Sequence, residues 1–309
     1  MKHNNKKKSE IWAMAGGKGG VGKSFALSSM GTYLALKGFK VVLVDADLGG
    51  ANLHTFLCVE RPRVSLTDFF DRKMPLSEIV VGGGIENLGL VAGTIRSLAA
   101  DSIKYSQKLK LLRHIRQLDV DFVLIDLGAG SSFNTIDTFL LADKMIVLIV
   151  PEIIALENMY FFVKNTFFRK LIGDLNSNGF KNVVRDTWVG RNKYGITNLS
   201  QLVSYLKDSS ERIKDIVEKE LTRFNINIVM NKVRANKDIT LGNSVKSICL
   251  KYLGINAQYV GYVEYDNAVS RSINSRQQYM LSYPESRCAR EIEKLANNLI
   301  EQKQVRLVF

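Results

Sequence analysis

The residues best suited to chemistry lie in one short stretch near the start of the chain, AMAGGKGGVGKSFALS, residues 13–28. Gly17 is followed, after four intervening residues, by Gly22, Lys23 and Ser24, which is the spacing of a phosphate-binding loop. Glycines let backbone N–H groups turn toward phosphate oxygens, the lysine reaches the β and γ phosphates, and the serine hydroxyl can bind Mg²⁺. The pattern therefore predicts a nucleotide site with a magnesium ion.

The position of this loop in the chain supports the same chemistry. The loop follows an apolar run, IWAMAGG, that is typical of a strand, and it precedes a segment of helical length. A glycine turn used only to pack a strand against a helix is the alternative, but it would not need the lysine and the serine. The predicted binding residues are Gly17, Gly19, Gly20, Val21, Gly22, Lys23, Ser24 and Phe25.

Two further apolar runs end in aspartates. VDADLGGANL contains Asp45 and Asp47, and DFVLIDLGAG places Asp126 at the end of a predicted strand. Carboxylates at the carboxyl ends of parallel strands, beside a phosphate-binding loop, can orient an attacking water or hold water bound to Mg²⁺. An aspartate at such a position can also cap a helix or stabilise a turn.

The segment KGGVGKS resembles the deviant Walker A loop of the MinD/ParA family, which has an additional lysine near its start. The resemblance implies that Lys18 crosses a dimer interface to the partner's nucleotide, so that ATP holds two subunits face to face. It also implies that Asp47 positions the attacking water and that Asp126 is the Walker B aspartate. The implied catalytic residues are Lys18, Lys23 and Asp47, and the implied metal site contains Ser24, Asp45 and Asp126.

Two later segments extend the resemblance toward the C-terminus. VMNK, with Asn231, matches a position where relatives line the nucleotide pocket, which implies that Asn231 recognises the adenine edge. The segment that begins GYVEYDNAV resembles the end of FlhG-like proteins, which are flagellar relatives of MinD. The resemblance implies a slow, Mg²⁺-dependent ATPase that acts as a spatial regulator in flagellar or polar placement, with ATP and Mg²⁺ as cofactors.

Apolar runs of strand length alternate with longer amphipathic segments along most of the chain. This alternation predicts an α/β fold with a doubly wound, mostly parallel sheet and helices on both faces. Between residues 155 and 225 no core strand is evident, and the apolar spacing predicts a helical insertion. The predicted strands contain IWAMAGG, KVVLVDAD, NLGLVAG, DFVLIDLGAG, KMIVLIV, INIVMNK and QYVGYV.

We expect a basic N-terminus over residues 1–10, one P-loop ATPase domain over 11–300 and a C-terminal tail over 301–309. The tail sequence QKQVRLVF is basic and apolar, which favours reversible contact with anionic lipid. The stripe that precedes it is more typical of a final helix packed on the sheet. That stripe consists of Ile292, Leu295, Ala296, Leu299 and Ile300.

The charge balance favours an anionic partner. Lysine and arginine exceed aspartate and glutamate by 43 to 30, a formal charge of +13. The surface recognised could be a membrane, a flagellar or polar protein, or DNA. The alternative function is therefore a ParA-like partitioning ATPase that binds non-specific DNA, for which the N-terminal lysines Lys2, Lys6, Lys7 and Lys8 are candidates.

The cysteine spacing and the hydropathy argue against several classes of protein. Cys58, Cys249 and Cys288 lie far apart without a Cys-x-x-Cys pair, which argues against a disulfide framework, a zinc knuckle or an iron–sulfur cluster within one chain. No apolar stretch approaches the length of a membrane span, and the charged start lacks the apolar run of a signal peptide. We therefore expect a cytoplasmic protein that acts at the inner face of the membrane or at a pole.

Overall fold

A computed structural model describes residues 8–47, 50–60, 62–93 and 105–305. Its centre is an eight-stranded sheet with the order β3-β4-β2-β5-β1-β6-β7-β8. The strands are β1 (Glu10–Ala15), β2 (Val41–Ala46), β3 (Val80–Gly82), β4 (Leu88–Val91), β5 (Phe122–Leu127), β6 (Lys144–Ile149), β7 (Ile226–Val233) and β8 (Gln258–Glu264). The predicted doubly wound α/β fold is confirmed.

Seven strands run parallel, and each corresponds to one of the apolar runs identified in the sequence. The eighth, β3, pairs antiparallel with β4 at one edge of the sheet and was not predicted. It is only three residues long and ends in glycine, so its sequence, VVG, is too short to show a strand pattern.

Helices cover both faces of the sheet. They are α1 (Lys23–Leu36), α2 (Leu53–Phe56), α3 (Leu66–Asp71), α4 (Tyr105–Ile115), α5 (Phe133–Phe139), α6 (Ile153–Ser177), α7 (Val183–Val189), α8 (Leu199–Ser209), α9 (Glu211–Arg223), α10 (Asn236–Ile248), α11 (Ala268–Asn274), α12 (Tyr279–Ser282) and α13 (Arg287–Glu301). A 3₁₀ turn spans Leu76–Ile79, and a π-helical turn spans Cys249–Leu253.

Alternation along the strands divides the core into two layers. In β1, Ile11 and Ala13 belong to the apolar cluster beneath α5 and α6, whereas Trp12 and Met14 belong to the cluster beneath α1 and α13. All four side chains are fully buried. A strand buried on both faces must be apolar at every position, which is why the sequence of β1 lacks a polar face.

The segment between β6 and β7 contains α6, α7, α8 and α9, and its described residues form no strand. Apolar residues at helical spacing explain why α8 and α9 form, because their buried positions face the core. These buried residues are Leu199, Leu202, Val203, Leu206, Ile213 and Val217. The division of the chain into one ATPase domain and two terminal segments stays a prediction.

The C-terminal stripe packs against the sheet. Ile292, Leu295, Ala296 and Leu299 are buried where α13 contacts β8 and α1, while Ile300 is partly exposed. The stripe therefore belongs to a final helix, α13, that packs on the sheet. Beyond this helix, the Val305 N–H donates to the Tyr259 carbonyl on the outer edge of β8 at 2.9 Å.

Parts of both termini lie outside the described residues. Residues 1–7 and 306–309 lie outside the described residues, so Lys2, Lys6, Lys7 and most of the apolar tail do as well. Among the described helices, none is both long and apolar enough to cross a membrane.

Candidate functional site

The glycine-rich loop connects β1 to α1, as the sequence predicts. Gly20 and Gly22 have φ angles of 77° and 96°, in the left-handed region that glycine adopts without strain. Gly22 is the N-cap of α1, and no side chain caps that helix. The first N–H groups of α1, together with the positive end of its dipole, are therefore directed at the loop, where they can bind an anion.

A cavity of 450 Å³ opens in front of this loop, at the carboxyl ends of the parallel strands. Of the predicted site residues, Gly19, Gly20, Gly22, Lys23, Ser24, Phe25, Asp47 and Asn231 line it. Lys23 is only 8% exposed, so its charge is held inside the site. Gly17 and Val21 do not line the cavity: Val21 is buried in the core, and Gly17 lies against the α6 backbone.

Ser24 and Asp126 meet beside the cavity, which Ser24 lines, whereas Asp126 and Asp45 are buried and do not line it. The Ser24 Oγ donates to Asp126 Oδ2 at 2.5 Å, while Asp126 Oδ1 is buried without a hydrogen-bond partner among the described residues. Burial raises the pKa of Asp126 to about 7; the Ser24 hydrogen bond opposes this shift and the nearby Asp45 charge adds to it. A cation next to this carboxylate would offset the cost of burying its charge.

Asp45 pairs in register with Asp126, because β2 and β5 are neighbours in the sheet. Its carboxylate accepts hydrogen bonds from the Leu53 N–H at 3.0 Å and the Asp47 N–H at 3.2 Å. Burial raises the pKa of Asp45 to about 6, against the lowering effect of these bonds. Asp45 thus holds the start of α2 beside the loop, in addition to its predicted place near the metal.

The donor set fits Mg²⁺ held with a nucleotide. The described residues contain no cluster of three or more His, Cys, Asp or Glu side chains that could hold a metal by themselves. Mg²⁺ normally keeps several waters and takes few protein ligands beside phosphate oxygens. Ser24 and the unpartnered oxygen of Asp126 match that requirement, because the serine hydroxyl can bind the ion directly and the carboxylate can bind its water.

Asp47 lies at the rim of the cavity, between two glycines. A Cβ placed on Gly128 would lie 3.2 Å from Asp47 Oδ1, and one on Gly50 would lie 3.5 Å from Oδ2. The side chain therefore contacts the loop after β5 as well as its own loop. Asp47 lines the cavity, and its implied role in positioning the attacking water stays a prediction.

Lys18 points away from the cavity of its own chain. Its Nζ pairs with Glu152 Oε2 at 3.2 Å, and its side chain is 42% exposed. Glu152 directly precedes α6, so the pair joins the loop to that helix. Lys18 does not line the cavity of its own chain, and its role at the nucleotide of a second subunit stays a prediction.

Several residues that line the cavity were not predicted from the sequence. Lys232 follows Asn231 near the end of β7, Glu264 ends β8, and Tyr265 and Asp266 follow that strand. Strand ends at this edge of a parallel sheet converge on the ligand, so the position of β8 was the available signal. Lys232 lies in the quoted segment VMNK, and the other three lie in the segment that begins GYVEYDNAV, but the resemblance assigns none of them to the site.

A model of the CobQ/CobB/MinD/ParA nucleotide-binding domain matches residues 12–279 of the chain, which includes every residue of the site. The chain belongs to this MinD/ParA family. The matched region contains the phosphate-binding loop and the strand-end aspartates Asp45, Asp47 and Asp126.

Curated relatives match at moderate identity. Septum site-determining protein MinD of Helicobacter pylori is 32% identical over 151 residues, which is 48% of this chain and 55% of the relative. Antiactivator FleN of Pseudomonas aeruginosa is 25% identical over 157 residues, which is 50% of this chain and 55% of FleN. The chain spans about half the length of the curated relatives it matches.

Solved MinD/ParA structures share the fold over nearly their whole length. The MinC:MinD cell division complex of Aquifex aeolicus matches with a TM-score of 0.64 at 18% identity, covering 97% of this chain and 99% of that one. MinD of Pyrococcus horikoshii, complexed with Mg-ADP, has a TM-score of 0.62 at 19% identity, covering 95% and 97%. At such identities the likeness establishes the fold.

Proposed function

We propose that this protein is a slow, Mg²⁺-dependent ATPase of the MinD/ParA type that forms a homodimer when ATP is bound. The observation that supports this most directly is the contact between Ser24 and Asp126 beneath a glycine-rich loop that contains two lysines. Family membership supports nucleotide binding, and the Mg-ADP complex of the P. horikoshii relative supports the choice of cofactor.

The chain's own residues divide the work of phosphoryl transfer. The N-terminus of α1 and Lys23 bind and orient the phosphates, and Ser24 with Asp126 holds the position of Mg²⁺. When bound, Mg²⁺ neutralises the charge that develops on the phosphate oxygens. Asp47 orients the attacking water, which is the main task left to the protein in this reaction.

Dimerisation requires a rearrangement at Lys18. In the single chain its ammonium pairs with Glu152, whereas its proposed role is at the nucleotide of a second subunit. The pair is exposed on both sides, and such pairs contribute about 1 kcal/mol or less. ATP bound between two subunits can therefore outcompete this contact.

The dimer is proposed to act as an FlhG-like spatial switch at the inner face of the membrane or at a pole. FleN, a relative, is named an antiactivator, and the A. aeolicus relative was solved in complex with the protein MinC. Both names favour a protein partner, which for this chain would be a flagellar or polar component. The tail over residues 301–309 is the proposed membrane contact.

The test measures hydrolysis and dimerisation separately. Asp47→Ala should reduce ATP turnover at least about 100-fold while the ATP-bound dimer persists, because water is no longer oriented. Lys18→Ala should leave nucleotide bound to a monomer in sedimentation velocity. The exposed substitutions Asp208→Ala and Lys219→Ala are matched controls. Unchanged turnover in Asp47→Ala would refute its role.

A second candidate is ATP-dependent binding of non-specific DNA. Lys164 Nζ lies 4.8 Å and Arg191 Cζ 5.2 Å from the centre of the Trp188 ring, and neither forms an ion pair with any residue that the structure describes. Burial and the Arg191 charge lower the pKa of Lys164, so an anion would stabilise this cluster.

DNA binding is tested by the double variant Lys164→Ala/Arg191→Ala, with Lys219→Ala as the control. If the protein binds DNA, DNA affinity should appear only with ATP and should fall steeply as the salt concentration rises. It should be weaker still in the double variant. Sedimentation with anionic liposomes under the same conditions distinguishes the membrane, since the DNA hypothesis predicts no liposome binding by this cluster.

A further inference from the structure

The end of β7 departs from regular strand geometry beside the phosphate-binding loop. Its pairing with β8 shifts register between Met230 and Val233, so Asn231 and Lys232 lie in a bulge. Lys232 has a φ of 55°, a left-handed conformation that a lysine rarely adopts. Backbone strain of this kind persists where the surrounding structure requires it.

The bulge brings two consecutive side chains to the same target. In a regular strand, neighbouring side chains point to opposite faces of the sheet. Here the Asn231 Nδ2 donates to the Val21 carbonyl at 2.7 Å, and the Lys232 Nζ donates to the Gly20 carbonyl at 2.8 Å. Bulges near active sites commonly redirect a side chain in this way.

These two bonds determine where the loop's N–H groups point. In a trans peptide the carbonyl of one residue and the N–H of the next point in opposite directions. Fixing the Gly20 carbonyl on Lys232 therefore directs the Val21 N–H to the other side. Fixing the Val21 carbonyl on Asn231 does the same for the Gly22 N–H. Such N–H groups are the ones that bind phosphate oxygens in a glycine-rich loop.

We propose that Lys232 is a positioning residue for the nucleotide, a third lysine that holds the phosphate-binding loop in its binding conformation. Its ammonium lines the nucleotide cavity and bonds to the loop backbone. A charged donor forms a stronger bond to a carbonyl than a neutral one does. The inference rests on the proposed nucleotide binding but concerns a residue to which the resemblance assigns no role.

The experiment compares nucleotide affinity with turnover. Lys232→Met keeps the length of the side chain but removes the ammonium, and it should weaken ADP and ATP alike by about tenfold, the value of one charge-assisted hydrogen bond. The turnover number at saturating ATP should stay within about twofold, because Lys23 and Asp47 are unchanged. Lys232→Arg, which retains a charged donor, should recover most of the affinity.

Lys237→Met is the matched control. Lys237 is exposed on α10, and this substitution removes the same charge five residues away from Lys232. Calorimetry with ADP and with a non-hydrolysable ATP analogue gives the affinities, and thermal unfolding without nucleotide checks that the variants fold. If Lys232→Met does not fold, Lys232→Asn replaces it, because asparagine tolerates the left-handed backbone.

Three results would overturn the proposal. Wild-type affinity in Lys232→Met would show that the loop does not depend on this bond. An equal loss of nucleotide affinity in Lys237→Met would show that affinity depends on the overall positive charge and not on the bond from Lys232 to the loop. A loss confined to turnover would place Lys232 in the chemical step. If the wild-type protein itself binds neither ADP nor ATP, the proposed function fails first, independently of Lys232.

Discussion

Two cavities in this protein differ in size and in chemistry. The cavity in front of the phosphate-binding loop measures 450 Å³, and a larger one of 750 Å³ lies between α5 and α6. In the larger cavity most of the charged side chains are paired: Arg169 pairs with Asp137, and Lys170 pairs with Asp174 and with the neighbouring Glu220, while Arg185 also lines the cavity. Its remaining lining is mostly apolar.

Beside the smaller cavity lie polar groups that the described residues leave unsatisfied. Asp126 keeps a buried oxygen without a partner among the described residues, and the first turn of α1 has no side-chain cap. Groups held in this state lower their free energy when a ligand of opposite charge binds. The two cavities therefore differ in how their acids are paired: Asp137 and Asp174 each face a cationic side chain, whereas Asp126 forms no ion pair among the described residues.

The strongest test of this difference between the two cavities is to remove one cation from each. Lys23→Ala should weaken ATP and ADP about 1,000-fold, which corresponds to about 4 kcal/mol for two charge-assisted bonds to phosphate. Arg185→Ala, in the larger cavity, should leave both affinities unchanged. Calorimetric titration measures them. If the Arg185 variant lost affinity instead, the nucleotide would belong between α5 and α6.

The ion pair of the larger cavity should matter for stability alone. Arg169→Met leaves Asp137, only 8% exposed, without its charged partner and should lower the free energy of unfolding by about 3 kcal/mol. Nucleotide affinity should stay within about twofold. Urea unfolding gives the first quantity. Arg212→Met, on α9, is the control, and a loss of nucleotide binding in Arg169→Met would contradict the separation of the two sites.

Two glycines, one packed against α6 and one within it, give a further test of the difference between the two cavities. A Cβ on Gly17 would lie 2.6 Å from the Asn158 carbonyl oxygen, so Gly17→Ala should destabilise the protein by about 2 kcal/mol through overpacking. Gly173, in α6 beside the larger cavity, has open space, and Gly173→Ala should stabilise it by about 0.5–1 kcal/mol. Thermal unfolding of both variants tests this, and equal shifts would contradict it.

The smallest expected effect is a pH dependence beside the nucleotide cavity. Burial raises the pKa of Glu291 to about 7, although its carboxylate accepts the Glu264 N–H. The folded state then binds more protons than the unfolded state between about pH 4.5 and 7, so stability falls as pH rises through that range. Relative to wild type, Glu291→Gln should gain about 1 kcal/mol between pH 5 and 8 after solvent screening.

Denaturant unfolding at the two pH values measures this difference. Glu86→Gln, at an exposed position, is the matched control and should follow the wild-type pH profile. A parallel profile in Glu291→Gln would show that Glu291 ionises normally in the folded protein.

Much of this architecture could be predicted from the sequence because its signals are local. The order of strand, glycine loop and helix gave the position of Lys23 and Ser24, and the rule that parallel strand ends meet at one edge brought Asp126 beside them. The seven parallel strands were identifiable because strands buried on both faces are apolar throughout. Family resemblance added the role of Lys18.

The features that were missed depend on tertiary geometry. The role of Lys232 follows from a bulge and a positive φ, whereas alternation predicts that it faces away from its neighbour Asn231. The pairing of Lys18 with Glu152 joins residues 134 positions apart. Neither contact leaves a local pattern, so only the folded arrangement reveals them.

The two margins of the sheet are both closed to further strands. On one side β3 offers only three residues, and on the other the Val305 N–H and the Asn298 side chain occupy the successive carbonyls of Tyr259 and Val260. Exposed strand edges promote uncontrolled polymerisation. The proposed dimer would therefore form through side-chain surfaces and not through extension of the sheet, so a nucleotide bound between the subunits could control their association.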